Sequence, residues 1–217
     1  MYKIKKFGFT LAEVLITLVI IGVIAAITVP SILQTTQKQE FVTGLKKANS
    51  VLRQSMKLIE INNGYAPGDY SFLKNDKKFS DEFAKVTNII KRCENGRDCL
   101  GDDHLLKYYY LNGNSAGNAF TSAEWLVSQD GMTYFYANNW SNFGISNEDF
   151  NNYIANISVD VNGDKKPNKA GMDIFLFYVI DGKGIVPAGN FQTDDCTRSG
   201  LGASCAAKVL KEGKISY

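Results

Sequence analysis

Apolar side chains run from Phe9 to Val29 with only a few small polar breaks and a single charge, Glu13. A run of about 21 residues, at a rise of ~1.5 Å each, is long enough to cross a bilayer as a helix. Beyond Pro30 the pattern changes. Phe41, Leu45, Ala48, Leu52, Met56 and Ile59 recur every three or four positions, with Lys46, Lys47, Arg53 and Lys57 between them. That spacing predicts one apolar stripe on an amphipathic helix. Asn62-Asn63-Gly64 supplies a stop, because both residue types tolerate the left-handed conformation that ends helices. The pattern predicts a single helix from Phe9 to about Ile61, roughly 80 Å long. Pro30 lacks a backbone donor and is expected to kink or loosen it near Ala26.

From Gly64 to Ala119 the periodicity is weak. Lys74 to Arg92 reads as a helix with Phe79, Phe83, Val86 and Ile90 on one side, and "LKYYYLN" reads as a short strand or a core-facing turn of helix. From Trp125 the pattern sharpens. "EWLVSQDGMTYFYAN" places two apolar runs around Asp130-Gly131, which signals a hairpin. "YIANISVDVNG" alternates imperfectly and ends in a turn, and "DIFLFYVIDGKGIVPAG" reads as strand, turn and return strand. Four or more antiparallel strands are expected to pack on the helical stripe, giving an α+β fold. The expected divisions are 1–8, a basic leader; 9–62, the hydrophobic-then-amphipathic helix; and 63–217, a globular head.

The chain has 217 residues, 45% of them hydrophobic, enough for a genuine core. Its 24 basic and 22 acidic residues give no electrostatic case for nucleic acid. Lys3, Lys5 and Lys6 precede the apolar run, and no further basic residue follows until Lys38. The positive-inside rule then keeps the N-terminus in the cytoplasm and sends the bulk of the chain outward. A secretory signal peptide is the plainer alternative, with Ala25-Ala26 as its cleavage site, but the apolar run continues past that point without a polar break. Cys93 and Cys99, and Cys196 and Cys205, form two close pairs without C-x-x-C spacing. Outside the cytoplasm they read as disulfides. Three pairings are formally possible, and adjacency favours the local one. Glu13 is the anomaly: an ionised side chain in hydrocarbon needs a partner.

"KKFGFTLAEVLITLVIIGVIAAITVP" resembles the N-terminus of type IV pilins and type II secretion pseudopilins. In that family a membrane prepilin peptidase cuts after a glycine and methylates the new N-terminal residue. The resemblance implies a cut between Gly8 and Phe9, methylation of Phe9, an assembly role for Glu13, and a helix-breaking role for Pro30. It covers roughly the first quarter of the chain. Cleavage exposes a cationic amine on Phe9, and in a filament Glu13 of one subunit can sit beside the amine of its neighbour. Both charges then have partners that neither has alone. The simpler reading is that Glu13 reaches the membrane interface from the helix end.

"DVNGDKKPNKAGMD" gathers Asp160, Asn162, Asp164, Asn168 and Asp173, all oxygen donors. Calcium takes six to eight such ligands, yet the spacing fits an EF-hand poorly and Lys165, Lys166 and Lys169 dilute the charge. A turn in which Asn and Asp satisfy their own backbone is the favoured reading, with calcium as the alternative. The segment is similar to loops in pilin-like proteins, some of which hold calcium nearby. His104 in "GDDHLL" reads as part of a surface helix cap rather than a catalytic relay, since there is no nucleophile elbow or Gly-rich phosphate loop. Cys196 and Cys205 bound a loop similar to the cysteine-closed C-terminal loop of many pilins, although shorter.

These readings predict a non-enzymatic prepilin-like structural subunit, anchored in the inner membrane and then polymerised into a pilus or pseudopilus. The implied partners are prepilin peptidase, other pilin or pseudopilin subunits and an inner-membrane assembly platform. Nucleic acid would enter only through a competence pilus. The rival is a singly anchored extracytoplasmic binding domain that never polymerises, with Tyr108, Tyr109, Tyr110 and Trp140 as an exposed aromatic platform.

Overall fold

Residues Leu11–Asn63 form the first helix, α1, and Pro30 lies inside it without ending it. The computed structural model describes residues 8, 10–73, 76–94, 99, 108–116, 124–137, 151–163, 165–189 and 195–217. The chain divides into two compact units, Met1–Lys38 and Gln39–Tyr217, with the division inside α1.

In the first unit every side chain described from Leu11 to Gln37 is exposed, apart from a partial cover begun near Lys38. The large hydrophobics Leu11 to Leu33 face outward all round the helix. Such a surface is unstable in water and has to be covered by lipid or protein.

The second unit holds the core. Phe41, Leu45, Ala48, Leu52, Met56 and Ile59 of α1 are all buried, as their spacing predicts. Asn63 ends the helix, and Gly64 follows with a φ of 68°, a conformation that glycine adopts without strain. A short 3-10 turn (Ser71–Leu73) leads to α2 (Asp76–Val86). Among the described residues six strands follow: β1 (Ile89–Cys93), β2 (Glu124–Ser128), β3 (Thr133–Ala137), β4 (Tyr153–Asp160), β5 (Ile174–Ile180) and β6 (Gly184–Pro187). Helix α3 (Cys205–Glu212) closes the chain. The strands lie in sequence order in one sheet, and each pair is antiparallel. The architecture is therefore α+β, with a long N-terminal helix and an antiparallel sheet.

The α1 stripe packs with Phe79 and Phe83 of α2, with Ala206 and Val209 of α3, and with Leu126, Tyr134, Ile157, Val159, Phe175, Phe177 and Val179 from the sheet. The alternate strand positions Trp125, Phe135 and Ile174 face the other way, with Tyr108 and Cys93. β5 is buried at every position and β4 at all but its first. A strand covered on both faces has no reason to alternate, which explains the imperfect pattern of "YIANISVDVNG".

Two expectations need correction. The helix read over Lys74 to Arg92 is shorter: α2 ends at Val86, and Ile89 to Cys93 is a strand paired with β2. Ile90, expected on the buried helical side, is 66% exposed on this edge strand. The "LKYYYLN" segment is neither a strand nor a helix turn over its described part. Tyr109 makes only isolated bridges to Ser115 and Lys169, around a turn at Leu111-Asn112.

Candidate functional site

Gly8 is exposed, and a Cβ built on it would meet nothing within 4 Å. Packing therefore does not require glycine at this position. Phe9 lies outside the described residues. Thr10 precedes the first helical residue, and its Oγ1 accepts a hydrogen bond from the Glu13 amide at 3.2 Å. In return the Thr10 amide and hydroxyl both donate to Glu13 Oε2 at 2.8 Å. This reciprocal pair is a capping box, in which two orphan amides at the start of a helix are satisfied together.

The sequence reading overlooked Thr10. The signal that would have found it is T-x-x-E directly before an apolar run. Glu13 consequently has a partner within its own chain as well as any it finds in another. Both bonds converge on Oε2, and a carboxylate has lone pairs to spare. Oε1 accepts no hydrogen bond among the described residues, so a cationic donor can approach it without dismantling the cap.

Downstream of this cap, α1 carries a long, strongly apolar stretch, none of it buried. The helix is long and apolar enough to be a single membrane anchor. Gly22 stands in the middle of this surface, where a Cβ would meet nothing within 4 Å. Glycine in an exposed helix interior costs about 1 kcal/mol against alanine, and nothing in the chain's own packing repays that.

Of the oxygen-rich loop, Asp164 lies outside the described residues. The other four residues are brought together between β4 and β5. Asp160 and Asp173 are fully buried and Asn168 is 3% exposed. Asp160 Oδ1 accepts the Asn162 amide at 3.2 Å, and Asp173 accepts the Asn168 and Lys169 amides at 2.8 and 2.6 Å. Burial, working against these amide bonds, pushes the Asp173 carboxyl up to about 6. Lys165 and Lys166 are exposed.

Cys93 is joined to Cys99, and Cys196 to Cys205, with Cα–Cα separations of 5.5 and 5.4 Å. Asp195 braces the second loop, its carboxylate accepting the Ala203 and Ser204 amides at 3.1 and 3.0 Å. The aromatic platform does not hold together. Tyr108 is buried against the edges of Trp125 and Phe135, Tyr109 is 37% exposed, and Trp140 lies outside the described residues, as does His104.

An open groove of about 560 Å³ runs past Lys47, Leu58, Val86, Asp130 and Tyr134. Ser128 also lines it, with its hydroxyl turned to the Asp130 carboxylate and the Met132 carbonyl, and that carboxylate is paired with Lys47, so the serine–aspartate contact serves the hairpin turn. Elsewhere Ser80 donates to Glu124 and accepts from Arg92 Nη2 at 2.6 Å, and Arg92 also binds Asp81 and Glu124. That buried serine is locked into a charged clasp joining α2 to β1 and β2.

The family profile of the prokaryotic N-terminal methylation motif matches residues 3–29. This is the prepilin-type signal of type IV pilins and pseudopilins. No curated protein and no solved structure matches the chain.

Proposed function

We propose that this chain, whose residues 3–29 carry the prepilin-type methylation motif, is a pilin-like structural subunit without enzymatic activity. Prepilin peptidase cuts it between Gly8 and Phe9 and methylates Phe9. The apolar half of α1 then anchors it in the inner membrane with the head outside, until the stem is packed with other stems in a filament. Its partners are the peptidase, sibling pilin or pseudopilin subunits and an inner-membrane assembly platform.

The observation that supports this best is the uncovered apolar helix of Leu11 to Leu33, which begins inside the methylation motif matched at residues 3–29. A helix greasy on every side suits two successive environments, lipid before assembly and neighbouring helices after it. Glu13 suits the second environment. Its capped Oε2 stays with Thr10 while Oε1 receives the Phe9 amine of a neighbour, which sets the register of one subunit on the next. Gly22 allows a close approach between stems.

Mass spectrometry of the N-terminal peptide of protein isolated from its native envelope tests this reading. The expected peptide begins at Phe9 and is one methyl group heavier than its sequence, and both features disappear when the peptidase is deleted. A peptide that begins at Met1, with the peptidase present, overturns the proposal in favour of a plain anchor.

A further inference from the structure

We infer that the outer edge of β6 is a docking groove for an extended acidic peptide of a partner protein, which joins the sheet there as an added strand. The Ala188 amide donates to the Leu176 carbonyl at 3.0 Å, and the β5–β6 register runs on from that pair without a break to Gly184 opposite Ile180. In an antiparallel ladder every second pair is the hydrogen-bonded one. Gly184 and Val186 therefore turn their backbone groups to β5, while Ile185 turns its N–H and C=O away from it. Neither Ile185 group bonds to a described residue outside the sheet. The opposite edge of the sheet is blunted, because β1 breaks register between Ile89 and Lys91.

An open groove of about 530 Å³ lies along the β6 edge. α1 contributes Asn49 and Arg53 to it, α3 contributes Leu210 and Lys211, and Lys183 stands at the turn into β6. All three cations are exposed, and no acidic side chain lines the groove among the described residues. Arg53 commits only its Nε, to Asn49 Oδ1 at 3.2 Å, and neither Arg53 nor Lys211 forms an ion pair with a described residue. The whole chain carries a net charge of only +2, so this is a local concentration of positive charge. Such a cleft attracts an anion and selects against cationic partners.

The lining also says which kind of anion fits. No aromatic ring faces the groove among the described residues, so the bases of a single-stranded nucleic acid find no stacking platform. A peptide backbone, by contrast, matches the donor and acceptor of Ile185, in the way extended segments join open sheet edges. Pro187 has no N–H to give, which keeps the added ladder short and leaves much of the affinity to charge. α1 and α3, which carry Arg53 and Lys211, pack into the same core on one face of the sheet. Alternate side chains of a strand share one face, so the peptide that fits has acids at every second position. This contact belongs to the head and holds whether or not the stem polymerises.

The test uses the full-length chain in detergent, labelled at isoleucine and followed by amide NMR. The probe is a synthetic peptide of roughly eight residues that alternates threonine and glutamate. It is expected to move the Ile185 amide signal and to bind with a dissociation constant on the order of 10⁻⁴ M, since few backbone bonds form. Raising the salt to about 0.5 M should weaken it several-fold. The exposed double variant Arg53→Glu/Lys211→Glu should weaken it at least about tenfold while keeping the wild-type Tm. A peptide with lysine in place of glutamate should not bind. Absence of binding, binding that leaves the Ile185 amide unmoved, or an unchanged affinity in the double variant would each overturn the inference. Tighter binding of a thymidine oligonucleotide than of the peptide would overturn it in favour of nucleic acid.

Discussion

Gly44 of α1 faces Val161, just past the end of β4, so closely that a Cβ on Gly44 would lie 2.8 Å from the Val161 Cβ. The helix reaches the sheet here only because one partner has no side chain. Gly44→Ala gains about 1 kcal/mol of helix propensity but inserts a methyl group against a fixed Cβ, at a cost of about 1–3 kcal/mol. Because the atom it would meet is the Val161 Cβ rather than a flexible side-chain tip, the clash should win, with a fall in Tm of a few degrees. Thermal unfolding of G44A, and recovery in G44A/V161G, checks this.

The capping box separates two roles of Glu13 that a single alanine substitution would merge. Glu13→Gln keeps an acceptor for the Thr10 amide and removes the charge, so it should preserve processing and the start of the helix while abolishing filaments. Thr10→Ala loses the hydroxyl but keeps the charge, and should reduce assembly far less. Immunoblots for processed protein and electron microscopy of filaments read the two outcomes. Normal filaments from E13Q would place the role of Glu13 in the cap alone.

Loss of the Cys196–Cys205 bond, by Ser at both positions, should cost about 2–3 kcal/mol for a loop this short. Asp195 holds the same loop through the Ala203 and Ser204 amides, so the bond and the carboxylate back each other up. Asp195→Asn should therefore destabilise the cysteine-free protein more than the oxidised one, a non-additivity measurable in denaturant titrations.

Asp130 gives the head a pH dependence of known sign. Partial burial pushes its carboxyl up, but Lys47 at 2.6 Å, the Ser128 hydroxyl and the Met132 amide outweigh burial and hold it below the usual range. A lowered carboxyl contributes stability above its unfolded pKa of about 4 and loses it as the pH falls through the lower folded value. The pair is half exposed, so the effect is under about 1 kcal/mol. The acid limb of the stability curve should flatten in Asp130→Asn.

Much of this fold was legible in the order of residues, and what was hidden has physical causes. The α1 stripe and the hairpins announce themselves because each has one buried face and a distinct period. β1 does not, because Ile89 and Ile90 continue the helical spacing of Phe79, Phe83 and Val86. Only pairing with β2 shows that the chain has straightened. Glu60 is buried on the apolar side, where its carboxylate accepts the Gly68 amide at 3.1 Å, a contact that no periodicity encodes. Within the site segment, the anomaly of Glu13 was visible and its cap with Thr10 was overlooked, although both lie in one four-residue motif. In the β4–β5 loop the donor residues were legible, but their burial emerges only from the folded backbone.

The sheet has its own corollary. Among the described residues its six strands neighbour one another in the order in which they are synthesised, so each needs only its immediate predecessor to complete a ladder. A polypeptide delivered end-first through a narrow channel can therefore knit its sheet progressively on the far side, without waiting for a distant segment to arrive.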